Sequence, residues 1–431
     1  MTLHCSPEPV EALVARWRIE SPEPICAYVY DLDALQRHVR WMREALPHGC
    51  ELYYAAKANP EAPVLRTLAP WVDGFEAASG GELRWLHEQQ PAHPLLFGGP
   101  GKLDSELALA AALPDCTLHV ESLGELARLA AIADGLDRNV PVFLRMNIAV
   151  PGIGDTRLMM GGKPTPFGMD EQDLPQAVAM LREHPRLRLE GFHFHLMSHQ
   201  RDARMQLDLV RAYLDVANRW KAAHGLDFAV VNAGGGFGVD YADPSASFDW
   251  LGFCTGLRGV LDRHAGGLRL RFEPGRYVSV ACGWYAMEVL DIKRNHGEWF
   301  AVARGGTHHF RTPPAQGHDH PFRILRGNHA PLIEHERVTL VGQLCTPKDV
   351  LARAQPVEAL APGDCLLFPL AGAYAWNISH QNFLMHPAPR MAFLQAESMA
   401  EEVCYVRAGG PNQLGRTAAS PSSLPSPTQA T

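Results

Sequence analysis

The chain alternates short apolar runs with helix-like stretches from residue 51 to about residue 275. Eight runs have the length and apolar content of buried strands: ELYYAAK (51–57), GFEAAS (74–79), LLFGG (95–99), TLHVES (117–122), VFLRMNI (142–148), LEGFHFHLMS (189–198), AVVNAGGG (229–236) and LRLRFEPG (268–275). Stretches between them, such as SLGELARLAAIADGL, carry apolar residues at helical spacing. This alternation implies parallel strands. Eight repeats over roughly 225 residues favour a (β/α)8 TIM barrel over a doubly wound sheet with an irregular edge.

The pattern changes after residue 276, where strand-like segments such as EWFAVARGG, ERVTLVGQLC and DCLLFPLAG are separated by turns. This predicts an all-β second domain, either a barrel or a sandwich. The early segment ICAYVYDLDAL (25–35) is also strand-like. We therefore expect four parts, which are an N-terminal segment (1–44) that partly joins the β domain, the α/β barrel (45–280), the β domain (281–407), and a disordered tail (408–431) rich in Pro, Ser, Thr, Ala and Gly.

Composition and charge exclude several classes of protein. The 431 residues carry a net charge of -8 and a pI near 6.2, so the overall charge does not indicate a protein that binds nucleic acid. No apolar stretch approaches the roughly 20 residues that span a bilayer, and the N-terminal sequence lacks the pattern of a signal peptide. The 9 cysteines form no CxxC pair, so we expect free thiols in a reducing cytoplasm.

Chemically active side chains stand where the predicted strands end, which is where (β/α)8 barrels place their sites. Lys57 ends the first strand, and an amine there is either a surface lysine or a partly desolvated nucleophile. His193 and His195 lie two apart on the sixth strand and so share a face. Taken alone, His193 indicates a satisfied core histidine. Glu273, at the end of the eighth strand, could by itself form an ion pair in the barrel floor.

The seventh strand runs into Gly234-Gly235-Gly236-Phe237-Gly238, whose glycines let backbone N–H groups approach an anion. Many such barrels hold a phosphate in the loops after strands seven and eight, and Arg276 could add a charged contact there. A tight turn is the alternative, but the loop is neither a Walker A motif nor a dinucleotide fingerprint. A phosphate site, an inward Lys57 and the Glu273 carboxylate on the next strand together indicate pyridoxal 5'-phosphate, because the lysine can bind its aldehyde and the carboxylate can keep its ring nitrogen protonated.

The same segments carry a family resemblance. The chain resembles the fold-type III pyridoxal-phosphate decarboxylases, the group of diaminopimelate, ornithine and arginine decarboxylases, from about residue 25 to residue 400. The motifs that carry the resemblance are YYAAKAN, FEAASGGEL, FGGPGK, HFHLMS, NAGGGFG, EPGRY, LCTPKD and AGAY. The resemblance implies an alanine-racemase-like (β/α)8 barrel followed by a C-terminal β-barrel domain. It also implies a carboxy-lyase that acts on an amino acid.

The resemblance further implies a role for individual residues. Lys57 matches the Schiff-base lysine, His195 the histidine stacked on the cofactor ring, Glu273 the partner of the pyridinium, and Cys345 the cysteine that reprotonates the product. The other cofactor-binding positions are Arg145, Ser198, Gly235, Gly236, Gly275, Arg276 and Tyr374. In this family the cysteine reaches the site from the other subunit, so a head-to-tail homodimer with shared active sites is implied.

The chain also departs from the family pattern. The usual HxGS appears as His195-Leu196-Met197-Ser198, and the usual KFG appears as Pro166-Phe167-Gly168. Thr346 follows the cysteine, where diaminopimelate enzymes carry a glutamate and ornithine enzymes an aspartate for the distal amine. The segment AGAYAWNISHQNFLMHP lacks the arginine that diaminopimelate enzymes use on the distal carboxylate.

Three segments, CTPKD, GGTHHF and NISHQNFLMHP, look most like the branch that decarboxylates citryl-diamino-acid intermediates in carboxylate siderophore biosynthesis, as for staphyloferrin B. A polar entrance is compatible with such a bulky substrate. The candidate substrate-binding residues are His308, Asp349, Ser379 and His380, with His309 and Asn382 beside them. Diaminopimelate, ornithine, arginine and lysine are the alternative substrates.

Two other classes stay open on the sequence. The first is a metal-dependent TIM-barrel hydrolase, suggested by the pair His193-x-His195, although such enzymes usually draw this pair from the first strand. The second is a catalytically silent homologue that regulates or binds. Because Lys57, Glu273 and Cys345 are all present, we expect an active decarboxylase that uses no metal.

Overall fold

The structure is a computed structural model that describes residues 6–150, 161–311, 315, 317–395, 398–408 and 413–418. The chain divides into two compact units. The barrel unit comprises residues 34–282 and 372–377, and the β unit comprises residues 6–33, 283–371 and those from 378 onward. The short segment 372–377 therefore belongs to the barrel unit, although it follows most of the β unit in sequence.

The described helices are α1 (Glu8–Glu20), α2 (Leu32–Ala45), α3 (Ala62–Leu68), α4 (Gly80–Gln89), α5 (Asp104–Ala112), α6 (Leu123–Asp134), α7 (Leu174–Glu183), α8 (Ala203–His224), α9 (Trp250–His264) and α10 (Arg276–Ser279). The described strands are β1 (Cys26–Asp31), β2 (Cys50–Ala55), β3 (Gly74–Ala77), β4 (Leu95–Phe97), β5 (Cys116–Val120), β6 (Val140–Asn147), β7 (Met169–Asp170), β8 (Leu187–His193), β9 (Val230–Asn232), β10 (Arg269–Phe272), β11 (Gly283–Asn295), β12 (Glu298–Ala303), β13 (Arg323–Leu325), β14 (Ile333–Val341), β15 (Val350–Leu360), β16 (Cys365–Phe368), β17 (Arg390–Gln395), β18 (Ser398–Ala408) and β19 (Gln413–Ala418).

Eight parallel strands of the barrel unit close on themselves in the order β2-β3-β4-β5-β6-β8-β9-β10, with β10 hydrogen-bonded back to β2. The two-residue β7 pairs with the end of β6. Each strand predicted from the sequence is present, and the (β/α)8 barrel is confirmed. The largest change is in β8, which ends at His193 and not at residue 198. The apolar run continues past the strand because Leu196 and Met197 are buried in the following loop.

Side chains cap the N-termini of several barrel helices. Ser79 caps α4, Ser122 caps α6 and Asp249 caps α9, each by accepting a hydrogen bond from a backbone N–H of the first turn. Such caps stabilise a helix start by about 1 kcal/mol. Ser79 lies two residues beyond β3, and Ser122 lies two residues beyond β5. These short connections keep the carboxyl ends of the strands together at one rim of the barrel.

A polar and aromatic layer fills the barrel below that rim. The Arg271 guanidinium carbon lies 4.3 Å from the centroid of the Tyr53 ring and 5.3 Å from that of Phe143. Arg271 also pairs with Glu51 at 2.6 Å. Tyr53 and Phe143 are both buried. Because this layer occupies the interior, the open space of the barrel lies above it, at the carboxyl ends of the strands.

The β unit is built on one mixed sheet in which the long strand β11 is central. β11 pairs antiparallel with β1, β12 and β16, while β1 also pairs in parallel with β17 and β12 in parallel with β14. The remaining pairings, β13 with β16, β14 with β15 and β17 with β18, are antiparallel. The unit also contains helix α1, which buries Val10, Leu13, Val14 and Trp17.

The segment 408–431, predicted to be disordered, differs from that prediction in its described part. Residues 413–418 form β19, which pairs antiparallel with β18. The prediction relied on a lack of apolar side chains, but a backbone ladder at a sheet edge needs none. Residues 409–412 and 419–431 lie outside the described residues. Over the part of the chain that is described, no helix is both long and apolar enough to cross a membrane.

Candidate active site

A cavity of about 450 Å³ opens in the barrel unit at the carboxyl ends of the strands. All of the cofactor-binding residues predicted from the sequence line it, and they are Lys57, Arg145, His195, Ser198, Gly235, Gly236, Glu273, Gly275, Arg276 and Tyr374. Glu76, His119 and His193 also line it. The barrel therefore brings together side chains that lie more than 300 residues apart in sequence.

Lys57 is held as an ammonium by a carboxylate that the sequence analysis missed. Its Nζ donates hydrogen bonds to both oxygens of Glu76, at 2.9 and 3.0 Å. Burial lowers the pKa of Lys57, but the Glu76 carboxylate and Tyr374 raise it by more, so the pKa lies above its ordinary value. The amine is thus paired and not left neutral as a desolvated nucleophile would be. A carboxylate inside the buried run GFEAAS was the signal that could have revealed Glu76.

Glu273 is buried against one amide and two imidazoles. Asn232 Nδ2 donates to its Oε1 at 2.6 Å. His119 Nε2 lies 3.5 Å from the same oxygen, and His193 Nε2 lies 3.6 Å from Oε2. Burial and the Glu76 carboxylate raise the pKa of Glu273 to about 7, against the opposing effects of Lys57 and the Asn232 bond. The carboxyl group can therefore bind or release a proton near neutral pH.

These groups also bear on the metal-dependent alternative. Within the described residues, His119, His193 and Glu273 place their ligand atoms within 4.8 Å of one another. However, the Asn232 amide donates to both Glu273 Oε1 and His119 Nε2, at 2.6 and 3.3 Å. The lone pair on His119 Nε2 that a metal ion would need is thus already used. His195, the second member of the pair suggested by the sequence, is not in this group, and its ring centroid lies 6.5 Å from that of His193.

His195 presents a neutral imidazole to the cavity. The backbone N–H of Gly235 donates to its Nδ1 at 3.1 Å, so the ring proton is on Nε2. Burial lowers the pKa of His195 to about 3, and the Arg145 and Lys57 charges add to the effect. Ser198 Oγ lies 3.5 Å from Nε2. A neutral ring fixed at both nitrogens suits a side chain that stacks on another ring.

The glycine loop after β9 has no room for side chains. A Cβ on Gly235 would lie 2.3 Å from the Glu273 carbonyl oxygen, and one on Gly236 would lie 2.2 Å from that of Met197. Gly236 also has φ +92°, which favours glycine. The loop therefore brings backbone close to the end of β10, as expected of a segment that binds an anion through backbone groups.

Arg276 begins helix α10 beside this loop. It donates a hydrogen bond to the hydroxyl of Tyr241, which the sequence analysis did not single out, and its guanidinium carbon lies 4.5 Å from the centroid of the Tyr374 ring. The backbone N–H of Tyr374 donates to Ala58 O at 2.8 Å, which fixes the segment 372–377 to the end of β2. Among the described residues, no carboxylate pairs with Arg276. Its charge is thus available to an anion.

Arg145 differs from Arg276 because a buried carboxylate already neutralises it. Arg145 Nη1 donates to Glu121 Oε1 at 2.8 Å, and the backbone N–H groups of Gly99 and Gly168 donate to the two oxygens of Glu121. The Phe167 ring lies 4.9 Å from the Arg145 guanidinium carbon. Arg145 is therefore held in one orientation at the edge of the cavity.

The β unit carries the remaining predicted residues. Cys345 and His380 are exposed, and Ser379 is half-buried and accepts a hydrogen bond from Arg311 N at 3.0 Å. His308 is 1% exposed, and among the described residues neither of its ring nitrogens has a hydrogen-bond partner. Burial lowers its pKa to about 4, and His386 contributes. The ring is thus neutral, and its burial differs from the predicted position at a substrate entrance.

Asp349 also differs from its predicted place in a substrate-binding surface. It is 2% exposed, and its Oδ1 accepts hydrogen bonds from the Thr307 backbone N–H and hydroxyl, at 2.6 and 2.8 Å. Its Oδ2 accepts from Leu344 N at 2.9 Å. These bonds tie the GGTHHF loop to the residue that precedes Cys345. The carboxylate therefore orders the two loops, and its oxygens are already engaged.

Comparison with known proteins places the chain in a family. Residues 32–280 match the family described as pyridoxal-dependent decarboxylase, pyridoxal binding domain. The chain belongs to this family, and it is a pyridoxal-phosphate-dependent amino acid decarboxylase with an alanine-racemase-like barrel and a β domain.

Particular relatives narrow the comparison. The chain is 40% identical over 392 residues, covering 89% of this chain and 98% of the relative, to the 2-[(L-alanin-3-ylcarbamoyl)methyl]-2-hydroxybutanedioate decarboxylase of Staphylococcus aureus. It is 31% identical over 390 residues, covering 86% of this chain and 88% of the relative, to the L-glutamyl-[BtrI acyl-carrier protein] decarboxylase of Niallia circulans. The crystal structure of Helicobacter pylori diaminopimelate decarboxylase complexed with L-lysine has the same fold, with a TM-score of 0.80 at 24% identity over 90% of this chain and 95% of that one.

Proposed function

We propose that the enzyme decarboxylates an amino acid whose side chain carries a citryl group in amide linkage, as a step of carboxylate siderophore biosynthesis. The observation that carries this proposal is the 40% identity over 89% of the chain to a relative named for such a substrate. The relative at 31% identity is named for a glutamyl group on a carrier protein. Both names describe an amino acid joined to a larger group, which distinguishes these substrates from a free diamino acid.

Residues next to Cys345 support a substrate whose distal end is anionic. Thr346 stands where related enzymes carry a carboxylate for a distal amine, and Lys348 adds an exposed ammonium. The exposed imidazole of His380 can donate to carboxylate oxygens. A tricarboxylate-derived end suits this set of groups better than a free amine does.

The cavity fits pyridoxal 5'-phosphate in its donor set and its shape. Lys57 would hold the aldehyde, Glu273 the ring nitrogen and His195 one face of the ring. The phosphate would lie against Ser198, Gly235, Gly236, Gly275, Arg276 and Tyr374, and Arg145 would lie at the edge of the cavity. The steric demand for glycine at two positions and an arginine without a carboxylate partner are the structural observations that support this fit.

The residues of the cavity then have separate tasks. Glu76 lies 2.9 Å from Lys57 Nζ and would hold this group as an ammonium until the cofactor binds, since only the neutral amine captures an aldehyde. When bound, the cofactor supplies an electron sink for the electron pair left as the α-carboxylate departs as CO2. Glu273 would keep the ring nitrogen protonated, which strengthens that sink. Cys345 would deliver the proton that replaces the carboxylate.

We further propose a homodimer in which Cys345 of one subunit serves the barrel cavity of the other. The basis is the family resemblance together with the exposure of Cys345, since a thiol that donates a proton must reach its substrate. Substituting Cys345→Ala should lower kcat by about 10²- to 10⁴-fold, the usual contribution of a positioned acid. Kinetics with the substrate in excess would measure this loss.

Sharing of sites can be tested by mixing two inactive variants. Lys57→Ala and Cys345→Ala chains, co-expressed with different tags, would form hybrids that have one intact site if sites are shared. A random mixture should then recover about a quarter of the wild-type activity. Each variant alone is the control, and a mixture no more active than its parents would contradict sharing.

A product screen tests the substrate proposal. The enzyme with its cofactor is incubated with citryl-diaminopropionate, meso-diaminopimelate, ornithine, arginine and lysine, and mass spectrometry follows the loss of CO2 from each. We expect kcat/KM for the citryl compound to exceed the others by at least about 100-fold, because a site built for one polar group strongly disfavours analogues that lack it. Lys57→Ala is the matched blank. Faster turnover of diaminopimelate or ornithine would assign the enzyme to that branch instead.

Two further proposals concern location and domain limits. We propose a cytoplasmic enzyme, supported by the free cysteines at Cys26, Cys50, Cys116, Cys254, Cys345 and Cys365. Fractionation of the source cells would test it. The domain limits at residues 44, 280 and 407 stay a prediction that limited proteolysis with mass mapping can test.

A further inference from the structure

His193 is a buried imidazole whose nitrogens lack partners, although the sequence indicated a satisfied core histidine. It is 4% exposed, and among the described residues neither Nδ1 nor Nε2 has a hydrogen-bond partner. Burial lowers its pKa well below the usual range, and His119 and Arg145 add to the effect. The ring is thus neutral and carries one N–H. An unmet N–H inside a barrel is unfavourable and calls for an explanation.

The strand register aims this imidazole at Glu273. His193 on β8 is paired with Asn232 on β9, and the Asn232 amide bonds Glu273 just beyond β10. His193 Nε2 lies 3.6 Å from Glu273 Oε2, slightly beyond hydrogen-bond range. Asn232 bonds Oε1, so the two oxygens face different neighbours. A small rotation of the carboxylate would bring Oε2 within range of His193.

The second imidazole beside the carboxylate cannot take this role. His119 Nε2 accepts a hydrogen bond from Asn232 Nδ2 at 3.3 Å, so the proton of this neutral ring is on Nδ1, away from Glu273. Of the two imidazoles, His193 is therefore the one whose Nε2 can carry a proton toward Glu273. His119 and His193 thus lie at similar distances from Glu273, but only His193 can donate a hydrogen bond to it.

We propose that His193 is a positioning residue that donates Nε2–H to Oε2 of ionised Glu273, and thereby keeps the shared proton on the ring nitrogen of the cofactor. The inference rests on the proposed role of Glu273. A hydrogen bond to the ionised carboxylate lowers its proton affinity. Without that bond the same proton would move from the ring nitrogen toward Glu273, with no other proton gained or lost, and the electron sink would weaken.

The test reads the position of the proton directly. Enzyme reconstituted with pyridoxal phosphate labelled with ¹⁵N in the ring is compared by NMR as wild type, His193→Leu and His193→Gln. In His193→Leu we expect the ¹⁵N signal to move toward that of an unprotonated pyridine, and the dissociation constant of the cofactor to rise about tenfold, the usual effect of losing one bond to a charged group. His193→Gln keeps an N–H donor and should restore both readings to within about threefold.

Several outcomes overturn the proposal. An unchanged ¹⁵N signal in His193→Leu does so, as does a His193→Gln signal identical to that of His193→Leu, because bulk and not the donor would then matter. If His193→Leu does not fold, ¹⁵N-histidine spectra of the wild-type holoenzyme test the proposal instead. A His193 Nε2 without a proton overturns it, and a protonated Nε2 supports it. The Glu273→Gln variant distinguishes a failure of the proposed role of Glu273 from a failure of the proposed role of His193. If Glu273→Gln leaves the ring-nitrogen signal unchanged, the proposed role of Glu273 fails, whereas a shift in Glu273→Gln alone rejects only the role of His193.

Discussion

The two ends of the barrel cavity differ in charge and in construction. The phosphate-side end consists of the glycine loop after β9 and Arg276, which no described carboxylate neutralises. The inner end holds two carboxylates, Glu76 and Glu273, and the Lys57 ammonium, which is bonded to Glu76. One end thus suits an anion and the other a cation. A cofactor with a phosphate arm and a protonated ring nitrogen has this polarity, so the charge distribution itself orients it.

The ends also differ in how far their protonation is fixed. At the phosphate-side end the charge is carried by an arginine, a residue type that does not lose its proton in proteins. At the inner end, Glu273 has a pKa of about 7, and the Lys57 pKa is set by the balance of burial against the Glu76 carboxylate. The phosphate-side end therefore serves to bind the cofactor, whereas the inner end both binds the cofactor and exchanges protons. Substitutions at the inner end should change chemistry, while those at the phosphate-side end should change affinity.

Among substitutions at the two ends of the cavity, the largest effect is expected at the inner end. Glu273→Gln replaces the carboxylate with a neutral amide of the same shape and should lower kcat by about 10²- to 10³-fold, as the loss of a preorganised electrostatic contact does. Steady-state kinetics at saturating cofactor would measure it. Glu273→Asp, which keeps the charge at a shorter reach, is the control and should retain more activity. Equal activity in the two variants would show that charge at the ring nitrogen is not what matters.

A smaller effect is expected at the phosphate-side end. Arg276→Gln removes the cation and should raise the dissociation constant of the cofactor by about 10- to 100-fold, the value of a charge-assisted hydrogen bond. Because the ring nitrogen is not involved, kcat at saturating cofactor should change little. Fluorescence titration gives the affinity. Arg201→Gln removes the same charge from a residue that does not line the cavity and should bind normally, whereas weakened binding in both variants would point to long-range charge alone.

The residues at the two ends differ in whether the sequence alone could identify them as part of the site. The glycine loop, Lys57 and Glu273 were predictable because each stands where a predicted strand ends, and eight regular repeats fix where those ends meet. Glu76 and His119 lie within strands β3 and β5, whose sequences are mostly apolar. Both line the cavity because the closed barrel turns their side chains toward its interior. Their roles depend on contacts across the barrel, which no local pattern encodes.

In the β unit, the sequence did not reveal where two of the predicted substrate-binding residues lie. Asp349 and His308 were expected at a substrate entrance because they lie in CTPKD and GGTHHF, two of the segments that resemble the citryl-diamino-acid branch. The structure buries both, since Asp349 is engaged by Thr307 and Leu344 in neighbouring loops. Loop packing of this kind depends on which loops come into contact in the folded protein. The β unit also lacks the alternation of strands and helices from which the barrel was predicted.

The smallest expected effect concerns the proton on Lys57. Glu76→Gln removes the carboxylate that raises the Lys57 pKa and leaves burial, which lowers it. Since only the neutral amine captures an aldehyde, the cofactor-free variant should bind pyridoxal phosphate faster at pH 7 to 8, by about tenfold for each unit that the pKa falls. Stopped-flow absorbance across pH would show the profile moving to lower pH. Glu82→Gln is the matched control, because Glu82 bonds Ala78 N and makes no bond to Lys57. A slower capture in Glu76→Gln would instead identify Glu76 as the base that removes the proton.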